Sequence, residues 1–275
     1  MKLRFTKMHS LGNDFMVVDG ITQKVNLEAK DIIKLADRHK GIGFDQCLIA
    51  LSSTKKGIDF FYKIFNLDGS LVGQCANGAR CLARFLQHYG LTTKTELNIA
   101  TQTTQFKVQL VDNGVKVTFA EALFSPQNIP INFPHEQDKY PISLADNTIV
   151  SGHALSVGNP HLVILCDNIQ EVKVDKFGKE INNNAVFPKQ VNVGFVELVD
   201  PKTIKLRVYE RGCGETLACG SGAVAAAIVA RKFYAYGPNI KVKLLGGDLE
   251  VYCKSPTHKA ELTGPAHFVY EGILM

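Results

Sequence analysis

Three stretches of this chain carry hydrophobic positions at helical spacing, and short apolar runs bounded by turn residues occupy much of the remainder. The helical spacing covers Leu27–Lys40, Asn77–Tyr89 and Ser221–Tyr236. The second stretch puts Ala79, Leu82, Ala83, Phe85 and Leu86 on one face and stops at Gly90. The third is apolar almost all round and stops at Gly237-Pro238, the pattern of a central, buried helix. Strand-like runs are Ile58–Phe65, Thr104–Leu110, Val115–Phe119, Leu162–Cys166, Ile204–Tyr209, Ile240–Leu245 and Leu249–Tyr252. Asp112-Asn113-Gly114 reads as a hairpin turn between two of them. Phe124–Pro141, punctuated by prolines and lacking periodicity, reads as the connection between two domains.

The elements repeat. Gly12-Asn13-Asp14-Phe15 resembles Gly158-Asn159-Pro160-His161, each a Gly-Asn turn feeding an apolar strand. Gly43-Phe44 resembles Gly194-Phe195, and Cys75-Ala76-Asn77-Gly78-Ala79 resembles Cys219-Gly220-Ser221-Gly222-Ala223 at the start of a helix. Asn13 and Cys75 are 62 positions apart, Asn159 and Cys219 60, so three signals recur in one order at matched intervals. The chain is read as two copies of one unit. The expected class is α+β, with two similar pseudo-symmetric domains, each a central helix wrapped by mostly antiparallel strands.

Composition adds mainly exclusions. The 275 residues suit two domains. At 45% hydrophobic and 21% charged the mixture is that of a soluble globular protein. The net charge of +5 is scattered, with no basic cluster longer than a pair such as Lys55-Lys56, so no nucleic-acid partner is expected. The longest apolar run, Ala223–Ala230, falls far short of a membrane span. No apolar run follows the charges at the N-terminus, so neither a signal peptide nor a membrane partner is expected, and the location expected is the cytoplasm.

Seven cysteines, an odd number without an export signal, favour thiols in a reducing compartment. No C-x-x-C is present, and the C-x5-C spacing of Cys75/Cys81 and of Cys213/Cys219 fits no metal template, so no metal is expected. Cys47, Cys81, Cys166 and Cys253 read as small core hydrophobes, the usual role. Cys75 and Cys219 differ, because both copies of the unit put a thiol before the same helix start. Asn77 and Ser221 are read as N-caps, which sets each cysteine two residues before a cap. The positive end of the helix dipole is then expected to lower both thiol pKa values toward neutrality. Two such thiols suit removal of a proton from one face of a carbon and delivery to the other: racemisation or epimerisation by two bases. Asn13, Asn66, Asn159 and Asn192 offer neutral donors and acceptors, and Glu210-Arg211 offers a carboxylate and a guanidinium.

These motifs resemble the diaminopimelate epimerase family along the whole chain. The residues that carry the resemblance are Met8–Phe15, Gly41–Gln46, Gln74–Cys81, Val157–His161, Tyr209–Thr216 and Ala218–Ala223. The resemblance implies a first domain of residues 1–120 plus 266–275, with the last strand, His267–Ile273, returning to it. It implies a second domain of residues 121–265 and an active site in the cleft between the two. Cys75 and Cys219 are then the two bases, and Ala76-Asn77 and Gly220-Ser221 hold the reacting carboxylate. Asn13, Gln46, Asn66, Asn159, Asn192, Glu210 and Arg211 fix the substrate, and His161 and Glu210 support the thiols' protonation states. The implied enzyme is a cofactor-free homodimer interconverting LL- and meso-2,6-diaminopimelate for lysine and peptidoglycan-precursor synthesis. No lysine stands in a constellation suited to a pyridoxal Schiff base. One departure is present: Ala76 replaces the family's usual glycine, and a positive φ there would be strained.

Four alternatives compete. A proline or hydroxyproline racemase-like enzyme keeps the chemistry but gives Arg211 less to do. Gly220-Ser221-Gly222-Ala223-Val224-Ala225 fits G-x-G-x-x-A, yet no acidic residue follows about 20 positions on, as a dinucleotide site requires. A thiol hydrolase with His161 as base leaves one cysteine idle. A non-catalytic binding protein of this fold leaves both idle.

Overall fold

The computed structural model describes residues 2–275. The chain divides into two compact units: one runs to Thr118 and resumes at Thr263–Met275, and the other is Phe119–Leu262. The first contains β1 (Leu3–Ser10), β2 (Asn13–Asp19), α1 (Ala29–Ala36), β3 (Gln46–Ser52), β4 (Phe60–Asn66), α2 (Ala76–His88), β5 (Glu96–Ala100), β6 (Gln105–Val111) and β7 (Gly114–Thr118). The second contains β8 (Tyr140–Ser143), β9 (Ile149–Ser156), β10 (Pro160–Leu165), a 3-10 turn (Ile169–Glu171), α3 (Val174–Asn182), β11 (Asn192–Asp200), β12 (Thr203–Glu210), β13 (Gly214–Thr216), α4 (Gly220–Phe233), β14 (Asn239–Leu244) and β15 (Gly247–Cys253). β16 (Ala260–Gly264) leads back to the first unit, where β17 (His267–Leu274) pairs antiparallel with β1. The fold is α+β, with strands predominating.

The duplication extends to strand pairing. In the first unit β2 runs parallel to β3, β3 antiparallel to β4, β4 parallel to β5, and β5 antiparallel to β6. In the second, β10 with β11, β11 with β12, β12 with β14, and β14 with β15 repeat that series. Each series surrounds one buried helix. Every residue of α4 from Gly222 to Ala230 is buried, and the glycine and alanines among them admit close strand approach. The α2 stripe Ala79, Leu82, Ala83, Phe85 and Leu86 is buried as its spacing predicts.

Several boundaries differ from expectation. Both central helices begin earlier, at Ala76 and Gly220, so the N-caps are Cys75 and Cys219 themselves and not Asn77 and Ser221. Each cysteine sulfur accepts the N–H of the glycine three residues on, doing the work usually given to an oxygen. Helix α1 ends at Ala36 and not Lys40, because the Asp37 carboxylate takes the His39 and Lys40 N–H groups into a local turn. Helix α4 ends at Phe233, and Ala235 turns left-handed at φ 56°. The segment 124–141 lies inside the second unit and is no connector: Ile129, Ile131 and Tyr140 are core residues there. The hairpin at Asp112-Asn113 joins β6 to β7 as expected, with Gly114 at φ 141°.

Candidate active site

The repeated strands end at equivalent places, and the candidate residues occupy those ends. Asn13 opens β2, Gln46 opens β3 opposite Asn66 at the close of β4, and Cys75 caps α2. In the second unit Asn159 immediately precedes β10, Asn192 opens β11, Glu210 closes β12, and Cys219 caps α4. Four residues of one unit thus have four counterparts in the other. Because β3 and β4, like β11 and β12, are antiparallel, one strand start and one strand end meet in each unit.

Side-chain contacts repeat as well. Asn77 Nδ2 donates to Asn13 Oδ1 at 3.2 Å, and Asn159 Nδ2 donates to Ser221 Oγ at 3.2 Å. The half-buried Cys75 directs Sγ to Asn13 Oδ1 at 3.8 Å and accepts from Gly78 N at 3.3 Å. Gln46 Nε2 donates to Asn66 Oδ1 at 3.0 Å, while Gln46 Oε1 is buried with no hydrogen-bond partner among the described residues. That carbonyl is an acceptor suited to a donor such as an ammonium.

The environment of Cys219 is different. Its thiol is buried and donates to Glu210 Oε2 at 2.9 Å, while Glu210 Oε1 accepts from Thr216 Oγ1 at 2.6 Å. Burial, and then the Glu210 charge, push the Cys219 thiol well above its usual range. Burial also raises Glu210, partly offset by its bonds from Cys219 and Thr216. The helix end therefore does not bring Cys219 toward neutrality as its position suggested: desolvation opposes the dipole and wins. Cys219 is therefore held as the thiol.

His161 is buried, with Nε2 3.1 Å from both Asn159 Oδ1 and Ser221 Oγ. Burial, reinforced by the Arg211 charge, pushes its pKa down to about 3, so the ring is neutral. It reaches Cys219 through Ser221 Oγ, 3.6 Å from the sulfur. Asn192 is buried and bridges Pro160 O to the Arg211 N–H. The Arg211 side chain is exposed, its guanidinium on Lys189 O at 3.0 Å. Among the described residues no three His, Cys, Asp or Glu side chains form a metal-ligating group, and no helix is long and apolar enough to cross a membrane.

The profile of the family described as diaminopimelate epimerase matches residues 5–123 and 153–269. The chain belongs to the diaminopimelate epimerase family. Diaminopimelate epimerases of Legionella pneumophila strains Paris and Corby are each 52% identical to it over the full length of both chains. Solved structures share the fold at low identity. A phenazine biosynthesis protein of the PhzF family from Bacillus anthracis superposes with TM-score 0.68 at 17% identity, covering 100% of this chain and 99% of its own. A hydroxyproline epimerase from Agrobacterium vitis gives 0.68 at 13%, covering 99% and 92%.

The one departure from the diaminopimelate epimerase motif is accommodated. Ala76 lies in the first turn of α2 and is not among the residues with positive φ, so alanine carries no backbone strain and still presents an N–H.

Supporting residues around the candidate site escaped the sequence reading. Asp45 accepts from Asn13 Nδ2 at 2.9 Å and so turns the Asn13 carbonyl toward Cys75 and Asn77. Asp45 is in turn bonded to Arg38, which also grips Asp14 beside the buried Lys7. Thr216 fixes Glu210, and Arg80 is wholly buried against Asn77. For Arg80 there was a signal: an arginine among small and apolar residues at the start of α2.

Proposed function

We propose that this chain interconverts LL- and meso-2,6-diaminopimelate by a two-base proton transfer, with Cys75 and Cys219 as the two groups. The observation that carries this reading is the repeated N-cap: in each unit a cysteine caps the buried helix, with strand-end polar residues beside it. Membership of the diaminopimelate epimerase family supports the substrate.

In this reading one thiolate takes the α-proton, and the electron pair of the broken C–H bond moves into the adjacent carboxylate. The other thiol delivers its own proton to the opposite face, and the roles exchange in the reverse direction. A free amino acid loses its α-proton with great difficulty, so the developing charge must be stabilised. N–H groups of Ala76-Asn77 and Gly220-Ser221, at two helix N-termini, suit that task, each donor contributing roughly 2.7–4 kcal/mol in comparable oxyanion sites. Asn13, Gln46, Asn66, Asn159, Asn192, Glu210 and Arg211 fix the rest of the substrate. The Gln46 carbonyl offers an unused acceptor for an ammonium, and the exposed Arg211 a cation for the distal carboxylate. Neutral His161 orients Ser221 beside Cys219. No cofactor is required, because both proton-transfer groups are side chains. The enzyme acts in the cytoplasm, as a homodimer, in lysine and peptidoglycan-precursor synthesis.

The test is incubation of reduced protein with LL-diaminopimelate, EDTA and no added cofactor, followed by NMR. Growth of the meso isomer is expected. Turnover of proline or hydroxyproline but not diaminopimelate would overturn the substrate, and inertness toward all three would overturn the reaction. Sedimentation of a single chain at micromolar concentration would contradict the homodimer.

A further inference from the structure

The turn that follows β4 carries a run of side-chain hydrogen bonds whose direction is set at one end. Its backbone closes through Asn66 N on Ser70 O and Gly69 N on Asn66 O, each at 2.9 Å. Leu67 N on Asp45 O at 3.1 Å ties it to the residue before Gln46. Gly69 turns at φ 80° against Ala29, where a Cβ would meet the Ala29 carbonyl oxygen at 2.9 Å. The turn is therefore held in one shape, with Asn66, Asp68 and Ser70 in mutual contact.

Ser70 Oγ donates to Asp68 Oδ1 at 2.6 Å, Asn66 Nδ2 to Ser70 Oγ at 3.2 Å, and Gln46 Nε2 to Asn66 Oδ1 at 3.0 Å. A hydroxyl and two carboxamides can each donate or accept, so such a run has two directions. Asp68 selects one. Bonds from the Ser70 hydroxyl and N–H hold Asp68 below the usual carboxylate range, so at neutral pH it is an anion with no proton to give. The single Ser70 proton goes to that anion, because a charge-assisted bond is stronger than one to a neutral amide. Ser70 then offers Asn66 only a lone pair. Asn66 must turn Nδ2 to Ser70 and Oδ1 to Gln46, and Gln46 must turn Nε2 to Asn66. The atom left over is Gln46 Oε1, buried with no partner among the described residues. The reversed run would set Asn66 Oδ1 against Ser70 Oγ with no proton between them.

Asp68 and Ser70 are exposed, whereas Asn66 and Gln46 are half-buried. The anion thus stands in water, where its charge costs little, and fixes the polarity of a more enclosed amide that it does not touch. The second unit does this differently. Asn192, which matches Gln46 at the start of its strand, has both ends of its amide on backbone groups, Pro160 O and Arg211 N.

We propose that Asp68 and Ser70 are positioning residues that act through Asn66 to lock the Gln46 carboxamide with its carbonyl toward the substrate, so that this position takes a cationic donor and rejects a carboxylate. The inference rests on the reading of Gln46 as a substrate contact given under Proposed function. It assigns the preference for an ammonium there to two residues that do not touch the substrate.

Neutron diffraction from crystals of the deuterated, ligand-free protein tests the direction of the run. The Ser70 deuteron is expected on the side of Asp68, and a Gln46 Nε2 deuteron on the side of Asn66 Oδ1. In Asp68→Ala and Ser70→Ala the Gln46 amide is expected in both orientations. Both variants should raise KM for diaminopimelate about tenfold, the scale of one hydrogen bond to a charged group, with a smaller change in kcat. Ser70→Thr, which keeps the hydroxyl, should retain most of the affinity that Ser70→Ala loses. A Ser70 deuteron directed at Asn66, a Gln46 nitrogen in the place of Oε1, or wild-type KM in both alanine variants would overturn the inference. So would a fall in kcat and Tm at unchanged KM, which marks a purely structural turn. If the alanine variants do not fold, the wild-type deuterons decide. Expected deuterons without turnover of diaminopimelate overturn only the reaction, whereas turnover with the reversed run overturns only the role of Asp68 and Ser70.

Discussion

The Cys219 thiol donates a hydrogen bond to Glu210 Oε2 across 2.9 Å. At the equivalent strand end of the first unit stands Asn66, a neutral amide bonded to Gln46. The matched strand ends of the duplicated units therefore differ in charge: a carboxylate bonded to Cys219 in the second and a neutral amide in the first. A two-base reaction needs one group protonated while the other is not, and two identical halves would give no such preference.

Burial first, and then the Glu210 carboxylate, keep Cys219 protonated, and Glu210→Gln removes the carboxylate. The sign follows from proximity: a nearby negative charge disfavours a thiolate, so its loss lowers the proton affinity of Cys219. Turnover is expected to fall about a hundredfold, the scale of a displaced general acid. Steady-state kinetics of the variant check this, and wild-type turnover would contradict it.

His161 links stability to pH in one direction. Its folded pKa, pushed down to about 3 by burial and then by Arg211, lies below the unfolded value, so the unfolded chain binds the proton first. Stability is lost as pH falls from about 6.5 toward 3, by up to about 1.4 kcal/mol per pH unit. Urea unfolding at pH 7 and pH 5 should show a loss of about 2 kcal/mol from this residue, absent in His161→Gln.

Asp14 acts with the opposite sign. Burial raises its pKa, but hydrogen bonds from Arg38 and Lys7 outweigh that and bring it to about 2. Its contribution is present above the ordinary carboxylate pKa near 4 and disappears as pH falls toward 2. Allowing for the exposure of Arg38, Asp14→Asn should cost about 1–2 kcal/mol at pH 7. The deficit should shrink in urea titrations at pH 3.

Gly178→Ala tests packing behind Glu210. A Cβ there would meet Tyr209 Cβ at 2.3 Å, and Tyr209 is the residue before Glu210. Overpacking of this kind costs about 1–3 kcal/mol. A lower Tm with reduced turnover is expected; an unchanged Tm would contradict the packing of α3 on β12.

The sequence disclosed what rests on repetition and periodicity. Matched Gly-Asn turns and cysteine helix starts revealed the duplication, and a 3.6-residue apolar stripe marked α2 and α4. Features held by particular contacts stayed hidden. Asn and Ser are common N-caps, so the sulfur caps of Cys75 and Cys219 were placed two residues late. Helix α3 carries Gly178 and no capping side chain, leaving it little local signal. Nothing local tells that Ile129 and Ile131, between prolines, pack into a core. The protonation of Cys219 rests on its burial and on Glu210, nine positions away on another element, which no spacing rule reports.

The central claim is that Cys75 and Cys219 serve opposite faces of one α-carbon. The most direct measurement follows LL-diaminopimelate in D2O through the first few per cent of conversion. The account predicts that each new meso molecule carries deuterium at the inverted centre while the remaining LL pool stays unlabelled, and that Cys75→Ala and Cys219→Ala each abolish conversion. Label entering the LL pool as fast as the meso product, or conversion surviving the loss of either thiol, would contradict it.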